Sequence, residues 1–196
     1  MRALIVNCSP VRTGATAEIV HIVSEELVHR YDVKSVCIDD YAFSFCTEMT
    51  NVTLPSGITV INEGMFSCCY ELKTIEIPNS VTSIGAYAFS GCKEFTSITI
   101  PNNVTTINRS AFNSCNNLTT ITIPISLTYI GDYAFEHCTS LVEIISLANV
   151  APTLGNKVFR YLPQKGFVYV PINNSGYVEK WANELPNGWM FPSMVI

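Results

Sequence analysis

Residues 118–141 read Leu-Thr-Thr-Ile-Thr-Ile-Pro-Ile-Ser-Leu-Thr-Tyr-Ile-Gly-Asp-Tyr-Ala-Phe-Glu-His-Cys-Thr-Ser-Leu, and variants of this stretch recur along the chain with a fixed period of 23. Three residue types keep that period in phase: phenylalanine at Phe43, Phe66, Phe89, Phe112 and Phe135, cysteine at Cys46, Cys69, Cys92, Cys115 and Cys138, and proline at Pro55, Pro78, Pro101 and Pro124. A fixed period of roughly 20–29 residues is typical of a stacked solenoid, in which each repeat buries its apolar side against the next.

The first part of the repeat predicts a short strand. Ile121 and Ile123 alternate with Thr120 and Thr122, and a period of two with β-branched residues is typical of a half-buried strand. Pro124 ends the strand, because proline has no N–H to donate to a ladder.

The second part predicts a tight turn around the phenylalanine. Leu127 and Ile130 point inward, and Gly131-Asp132 is a turn signal. The Tyr-Ala-Phe segment of residues 133–135 then predicts a helical or 3₁₀ turn that carries the aromatic ring into the core. The tyrosines before the Ala-Phe pair either cover the edge of the core or form a second surface patch: Tyr41, Tyr87 and Tyr133.

The cysteines predict buried free thiols. The chain has eight, and five of them occupy the repeat column. Neighbouring strands of a stack lie about 4.8 Å apart with their side chains parallel, whereas a disulfide needs Cβ vectors that converge. No Cys-x-x-Cys pair is present, and His21, His29 and His137 show no ligand spacing, so we expect no zinc or other metal site.

Composition excludes several classes of function. The net charge is -5 and no Lys/Arg cluster occurs, so we expect no nucleic-acid partner. No apolar run approaches the roughly 20 residues that span a bilayer. No Ser/His/Asp, paired-carboxylate or phosphate-loop motif appears, so we expect neither an enzyme nor a bound cofactor. The apolar stretch after Met1 is shorter than a signal-peptide core of roughly 7–15 residues, which predicts a cytoplasmic chain.

The repeat pattern Leu-x-x-Ile-x-Ile-Pro-x-x-Val-x-x-Ile-Gly-x-x-Ala-Phe-x-x-Cys resembles the BspA-like leucine-rich repeat of bacterial surface proteins, over residues 36–163. The tail, with Gly166 to Pro171, Ser175 to Trp181, Trp189 and Phe191, is similar to the terminal strand and short helix that end such arrays, which extends the resemblance to residue 196. The resemblance implies a non-catalytic interaction or adhesion module at the cell surface, in conflict with the missing export signal.

Residues 1–38 lack the repeat and predict a βαβ unit. This unit, up to residue 46, resembles the start of the flavodoxin-like NAD(P)H-dependent FMN reductases, whose Gly-Ser-Pro-Arg-x-x-Gly-Asn-Thr loop cradles the flavin phosphate. Ser9, Pro10, Gly14 and Thr16 fit that loop, while Val11 replaces its arginine and Arg12 follows. Because the match ends before the strands that hold the flavin ring, we expect a cap without cofactor. An FMN-binding oxidoreductase fragment is the alternative.

The predicted fold is therefore α/β: a right-handed leucine-rich-repeat solenoid with 23-residue repeats and parallel strands. Its domains are a flavodoxin-like cap at residues 1–38, the repeats at 39–163 and a C-terminal cap of a strand plus a short helix at 164–196.

Outward strand positions are the candidate binding surface, because solenoids use the concave sheet for extended partners. We predict that a protein or glycan binds residues in two outward columns. The first column is Thr74, Ser97, Thr120 and Glu143. The second column is Glu76, Thr99 and Thr122, and it continues to Ile145. A second interpretation is that threonine simply suits exposed strands. A third is that the chain folds but has no partner.

Overall fold

A computed structural model of the chain describes residues 40–195. The predicted βαβ unit of residues 1–38 and the proposed FMN loop with Ser9, Arg12, Gly14 and Thr16 lie outside the described residues. In residues 40–195 the chain forms, in order, β1 (Asn51–Thr53), β2 (Val60–Ile61), β3 (Thr74–Glu76), β4 (Ser83–Ile84), β5 (Ser97–Thr99), β6 (Thr106–Ile107), β7 (Thr120–Ile123), β8 (Tyr129–Ile130), β9 (Glu143–Ser146), β10 (Thr153–Leu154), β11 (Lys165–Pro171), α1 (Tyr177–Trp181), β12 (Gly188–Met190) and β13 (Ser193–Met194).

The strands stack in parallel along two sides of the coil. The first side holds the ladder β5-β7-β9-β11-β12 and, next to it, the pair β1-β3, while β13 pairs with the end of β11. The second side holds the ladder of two-residue strands β2-β4-β6-β8-β10. The described part is thus a parallel β-solenoid, and its helix α1 spans five residues, so the helix share of the predicted α/β class is small there.

The register shows where the period changes. Ile123 pairs with Ser146, 23 residues further along the chain, as the period predicts. Tyr129 pairs instead with Thr153, which is one residue further than the period predicts. One extra residue therefore lies in the corner between β9 and β10. It also shifts the last aromatic position of the core to Phe159.

A stack of phenylalanine rings fills the core. Successive centroids are 5.4, 5.5, 5.3, 5.2 and 5.9 Å apart, with planes within 13° of parallel, along Phe43, Phe66, Phe89, Phe112, Phe135 and Phe159. All but Phe43 at the N-terminal end are buried. The predicted aromatic column is confirmed.

The third side of the coil, which carries the phenylalanines, consists of successive turns. The tight turn predicted at residues 133–135 is present, since the N–H of Glu136 donates to the carbonyl of Tyr133 at 3.1 Å, but it is neither α-helical nor a 3₁₀-helix. Tyr133 and His137 have φ values of 59° and 62°, which break any helical run. The N–H of Phe135 then donates to the carbonyl of Val158 in the next coil at 3.0 Å instead of closing a helical turn.

The thiol column lies beside the rings. Four thiols are buried and unpaired, and each donates to a phenylalanine carbonyl of the preceding coil at 3.1–3.3 Å: Cys69, Cys92, Cys115 and Cys138. Cys46 in the first coil is half-buried. The prediction of free thiols is confirmed in the described residues, while Cys8 and Cys37 lie outside them.

The C-terminal segment closes the stack, and the strand and short helix expected after residue 164 are present as β11 and α1. Trp181 of α1 tilts against Phe159 at 5.3 Å, and its Nε1 donates to the carbonyl of Pro152 at 3.0 Å. The hydroxyl of Tyr177 donates to the carbonyl of Ala148 at 2.9 Å. These bonds satisfy the polar atoms of two fully buried aromatic side chains, so the helix seals the last coil.

Candidate functional site

The outward positions of the first side align into two columns that cross neighbouring strands. In the first column Ser97 pairs with Thr120, and Thr120 pairs with Glu143. In the second column Thr99 pairs with Thr122. The structure therefore brings these five predicted binding residues together on one ladder, because strand side chains alternate strictly between the two faces.

Thr74 and Glu76 continue both columns towards the N-terminal end of the stack. They lie on β3, which pairs with β1 and runs beside β5 without joining its ladder. Thr74, Glu76, Ser97 and Thr99 are exposed, whereas Thr120, Thr122 and Glu143 are half-buried. The exposed hydroxyls and the Glu76 carboxylate thus lie on the earlier coils.

Part of the polar stripe is bonded within itself. The hydroxyl of Thr120 donates to Oε2 of Glu143 at 3.1 Å. This bond fixes the carboxylate beside the ladder, so the pair would present one pre-oriented acceptor group to a ligand. The role of the seven residues in binding stays a prediction.

The same face ends in a group of aromatic residues that the sequence analysis did not predict. Phe167 pairs in register with Glu143 and Tyr169 with Ile145, so both aromatic residues extend the two columns. Their rings are 5.9 Å apart, and Met190 on β12 pairs with Phe167. The exposed fractions of Phe167 and Met190 are 39% and 56%.

The sequence pattern that indicates this aromatic end is present, but it is shifted by one residue from the 23-residue period. The fixed period places Gly166 opposite Glu143, whereas the observed partner is Phe167, one position further along the chain. Alternation within residues 165–169, Lys-Gly-Phe-Val-Tyr, would have identified the outward face.

The three tyrosines lie on the turn side, away from these columns. The hydroxyl of Tyr41 donates to Oε1 of Glu63 at 2.7 Å, and this bond raises the pKa of Tyr41. Its ring covers Gly64 so closely that a Cβ added there would lie 2.1 Å from Cε1. The ring of Tyr41 thus lies over the next coil, while its role and that of the other two tyrosines stays a prediction.

The described part of the chain offers contacts more readily than catalysis. Burial raises the pKa of the thiols, to about 12 for Cys69 and Cys138, so they stay protonated and are poor nucleophiles. Within residues 40–195 no group of three His, Cys, Asp or Glu side chains could hold a metal ion. None of the helical structure described there has the length and apolar character of a membrane span.

Comparison with known proteins decides the family. Six copies of the BspA type leucine-rich repeat region match residues 34–171. The chain belongs to this family. The BspA-type match begins at residue 34, within the last strand of the predicted βαβ unit, and no comparison supports the flavodoxin-like resemblance of residues 1–46. A search of curated proteins gave no match.

Two solved structures are similar to this chain in fold. The T. pallidum leucine-rich repeat protein is 21% identical, with a TM-score of 0.53, and the match covers 83% of each chain. The pneumococcal vaccine antigen PcpA is 19% identical, with a TM-score of 0.58, over 84% of this chain and 40% of that one. This chain therefore spans less than half of the PcpA structure.

Proposed function

We propose that the chain is a non-catalytic interaction module, and that a protein or glycan partner binds the outward face of the first side. The observation that carries the proposal is the register that aligns Ser97, Thr120, Glu143 and Phe167 across consecutive strands. Repeat proteins generally bind extended partners on such continuous surfaces.

The chemistry of the face supports this proposal in two steps. Exposed hydroxyls and carboxylates supply many weak hydrogen bonds, which orient a partner more than they bind it tightly. Phe167, Tyr169 and Met190 belong to the residue types enriched at the centres of protein interfaces, where a few side chains carry most of the binding energy. The aromatic end is therefore the proposed anchor, and the polar stripe the surrounding rim.

The proposed location is the bacterial cell surface, which is supported by membership of the BspA-type family. The flavin alternative draws no support from residues 40–195 or from the comparisons. Detection of the protein on intact cells by protease shaving would test the location.

The binding surface is tested with two matched double variants. Ser97→Arg with Thr99→Arg places two large cations on the proposed face, where both side chains are exposed. Thr82→Arg with Thr105→Arg makes the same change at exposed positions before the second side. Wild-type protein and both variants are applied to a panel of purified matrix proteins and a glycan array.

We expect the first double variant to lose binding to whichever array member the wild type binds, while the second retains it. Equal binding by both variants would exclude the polar stripe at Ser97 and Thr99 from the binding surface. A wild type that binds no member would contradict the interaction function for these two ligand classes.

A further inference from the structure

The repeat breaks down at one corner of the coil, between the two sheet sides. The residue after each repeated proline is polar in the first three coils, at Ser56, Asn79 and Asn102, but it is Ile125 in the fourth. The side chain of Ile125 is 62% exposed. An isolated aliphatic side chain at this corner has no role in the stack, since the equivalent positions do without one.

The next coil departs from the repeat at the same corner. Its extra residue lies between the Ile123–Ser146 and Tyr129–Thr153 pairs, and Leu147 stands where the proline is expected. Val150 in this bulge is also 62% exposed. The bulge is held in place by Ser175, whose N–H donates to the carbonyl of Asn149 at 2.7 Å and whose carbonyl accepts from Ala151 at 2.9 Å.

A cleft of about 430 Å³ lies between the corner and the bulge. Its floor includes the buried side chains of Leu127, Ala148 and Ala151, and Ile125 and Val150 are the exposed aliphatic members of its lining. Lys180 of α1 is the one charged residue in that lining. The volume falls within the roughly 300–1,000 Å³ that is usual for ligand sites, which are mostly apolar with a few polar groups.

The floor of the cleft is hydrogen-bonded to α1. The carbonyl of Ala148 accepts from Tyr177, and the carbonyl of Pro152 accepts from Trp181, both from fully buried side chains of α1. The helix that carries Lys180 is therefore fastened to the floor itself. A site ordered before binding loses less conformational entropy when the ligand arrives.

We propose that this cleft binds a peptide segment of a partner protein in which an aliphatic residue adjoins an acidic one. The aliphatic side chain would cover Ile125 and Val150, which removes their apolar surface from water. The carboxylate would pair with the ammonium of Lys180, the only cation that lines the cleft in the described residues. The Asn149 amide can donate to and accept from a peptide backbone, and Thr128, whose hydroxyl donates to the carbonyl of Thr105 at 3.1 Å, offers its oxygen as an acceptor. This site lies at a corner, so it does not depend on the outward face proposed above.

The test is selection from a phage-displayed library of random linear peptides on wild-type protein, with the Ile125→Asn, Lys180→Gln double variant as counter-target. Asparagine is the residue that two equivalent corners carry, at Asn79 and Asn102, so the variant retains the fold. We expect enriched peptides that share an aliphatic–acidic pair. Each single substitution should weaken the binding of a fluorescein-labelled consensus peptide roughly tenfold, and Lys180→Gln should also remove the loss of affinity that added salt causes in the wild type.

Two controls separate this site from other surfaces. Lys93→Gln removes a cation on the turn side, and Ser97→Arg with Thr99→Arg alters the outward face; both should leave peptide affinity within about twofold, because neither lines the cleft. No enrichment over the counter-target, enriched peptides without the pair, or equal affinity for the Lys180→Gln variant would each overturn the proposal. None of these results would bear on the outward face.

Discussion

The Sγ atom of Cys115 lies 3.2 Å from the carbonyl oxygen of Phe89 in the preceding coil, and it donates its hydrogen to that carbonyl. The same carbonyl accepts the N–H of Cys92 from its own coil at 3.1 Å. One acceptor thus serves two donors on adjacent coils. The cysteine column fastens each turn to the turn before it, which explains why a small donor side chain recurs at this position.

Alkaline pH should destabilise the protein through these thiols. Burial raises the pKa of Cys69 and Cys138 from 9.0 to about 12. Between these values the unfolded chain loses protons that the folded chain keeps. Stability that is fully present below pH 9 should therefore fall as pH rises towards 12, by about 1.4 kcal/mol per pH unit for each thiol.

Urea unfolding at several alkaline pH values measures this loss. Cys138→Ala is the matched variant, because it deletes one of the thiols whose pKa is raised. The free energy of unfolding should then fall less steeply with pH, by the contribution of that one thiol. An unchanged slope in the variant would contradict the assignment.

Thiol reactivity provides an independent prediction. In a background with Cys8, Cys37 and the two half-buried thiols Cys46 and Cys68 replaced by serine, a disulfide reagent should leave the four buried thiols unmodified in native protein, because the thiolate is the reactive form. They should react at the rate of unfolding as urea is added. Fast native reaction of Cys115 would show that the column opens locally.

The ring stack should dominate stability. Phe112→Ala removes a fully buried ring between two stacked neighbours and should cost about 3–5 kcal/mol in urea unfolding. Phe45→Ala, at a ring that is 64% exposed, should change stability by less than about 0.5 kcal/mol. Similar costs for the two variants would be inconsistent with a core built on the stack.

Backbone strain on the turn side can be relieved at Ser114. Its φ is 59°, and the equivalent position one coil earlier is Gly91 at 77°. Ser114→Gly should stabilise the protein by up to about 0.5–1 kcal/mol, because the left-handed backbone is more costly for a non-glycine residue than the entropy that glycine loses. Loss of the hydrogen bond from the Ser114 hydroxyl to Oδ1 of Asn113, which is 2.7 Å long, offsets part of this gain.

Ser90→Gly is the control, since Ser90 is not among the positive-φ residues of the described chain. It should destabilise by about 0.5–1 kcal/mol in the same urea assay. The prediction fails if both substitutions shift the midpoint in the same direction.

The C-terminal helix should protect the last coils. Trp181→Ala removes the ring that closes the stack and the bond to Pro152, so amides of residues 153–162 should lose hydrogen-exchange protection before those of 104–112. Val178→Ala on the same helix alters a side chain that is 57% exposed and should leave the exchange pattern unchanged. Uniform loss of protection along the stack would mean that the coils open as one unit.

The sequence predicted correctly those parts of the fold in which the same residue type is buried in every coil. A ring at Phe89 can be buried only if Phe66 and Phe112 lie on either side, so the period alone predicted the column. It failed at the turn of Tyr133, because tyrosine is not a residue that usually indicates a positive φ.

The aromatic end and the corner cleft were missed for a different reason. Both follow the single extra residue between Ser146 and Thr153, which displaces Phe167 from the fixed period and pushes Val150 outward. A search for a fixed period does not detect a single inserted residue. That residue nevertheless determines which side chains are exposed after it. Which outward residues bind also depends on the shape and charge of the partner. The sequence of this chain alone does not encode the partner's surface.

The hydrogen bonds between coils allow the array to change its length. Ile84 pairs with Ile61 on one side and Ile107 on the other, and the N–H of Phe89 reaches Ala111 just as that of Phe66 reaches Ala88. These backbone hydrogen bonds repeat from one inner coil to the next, so a whole coil could be excised or duplicated in a gene without changing their pattern. Recombination could thereby adjust the reach of the molecule in steps of one strand spacing, about 4.8 Å, while both ends remain intact.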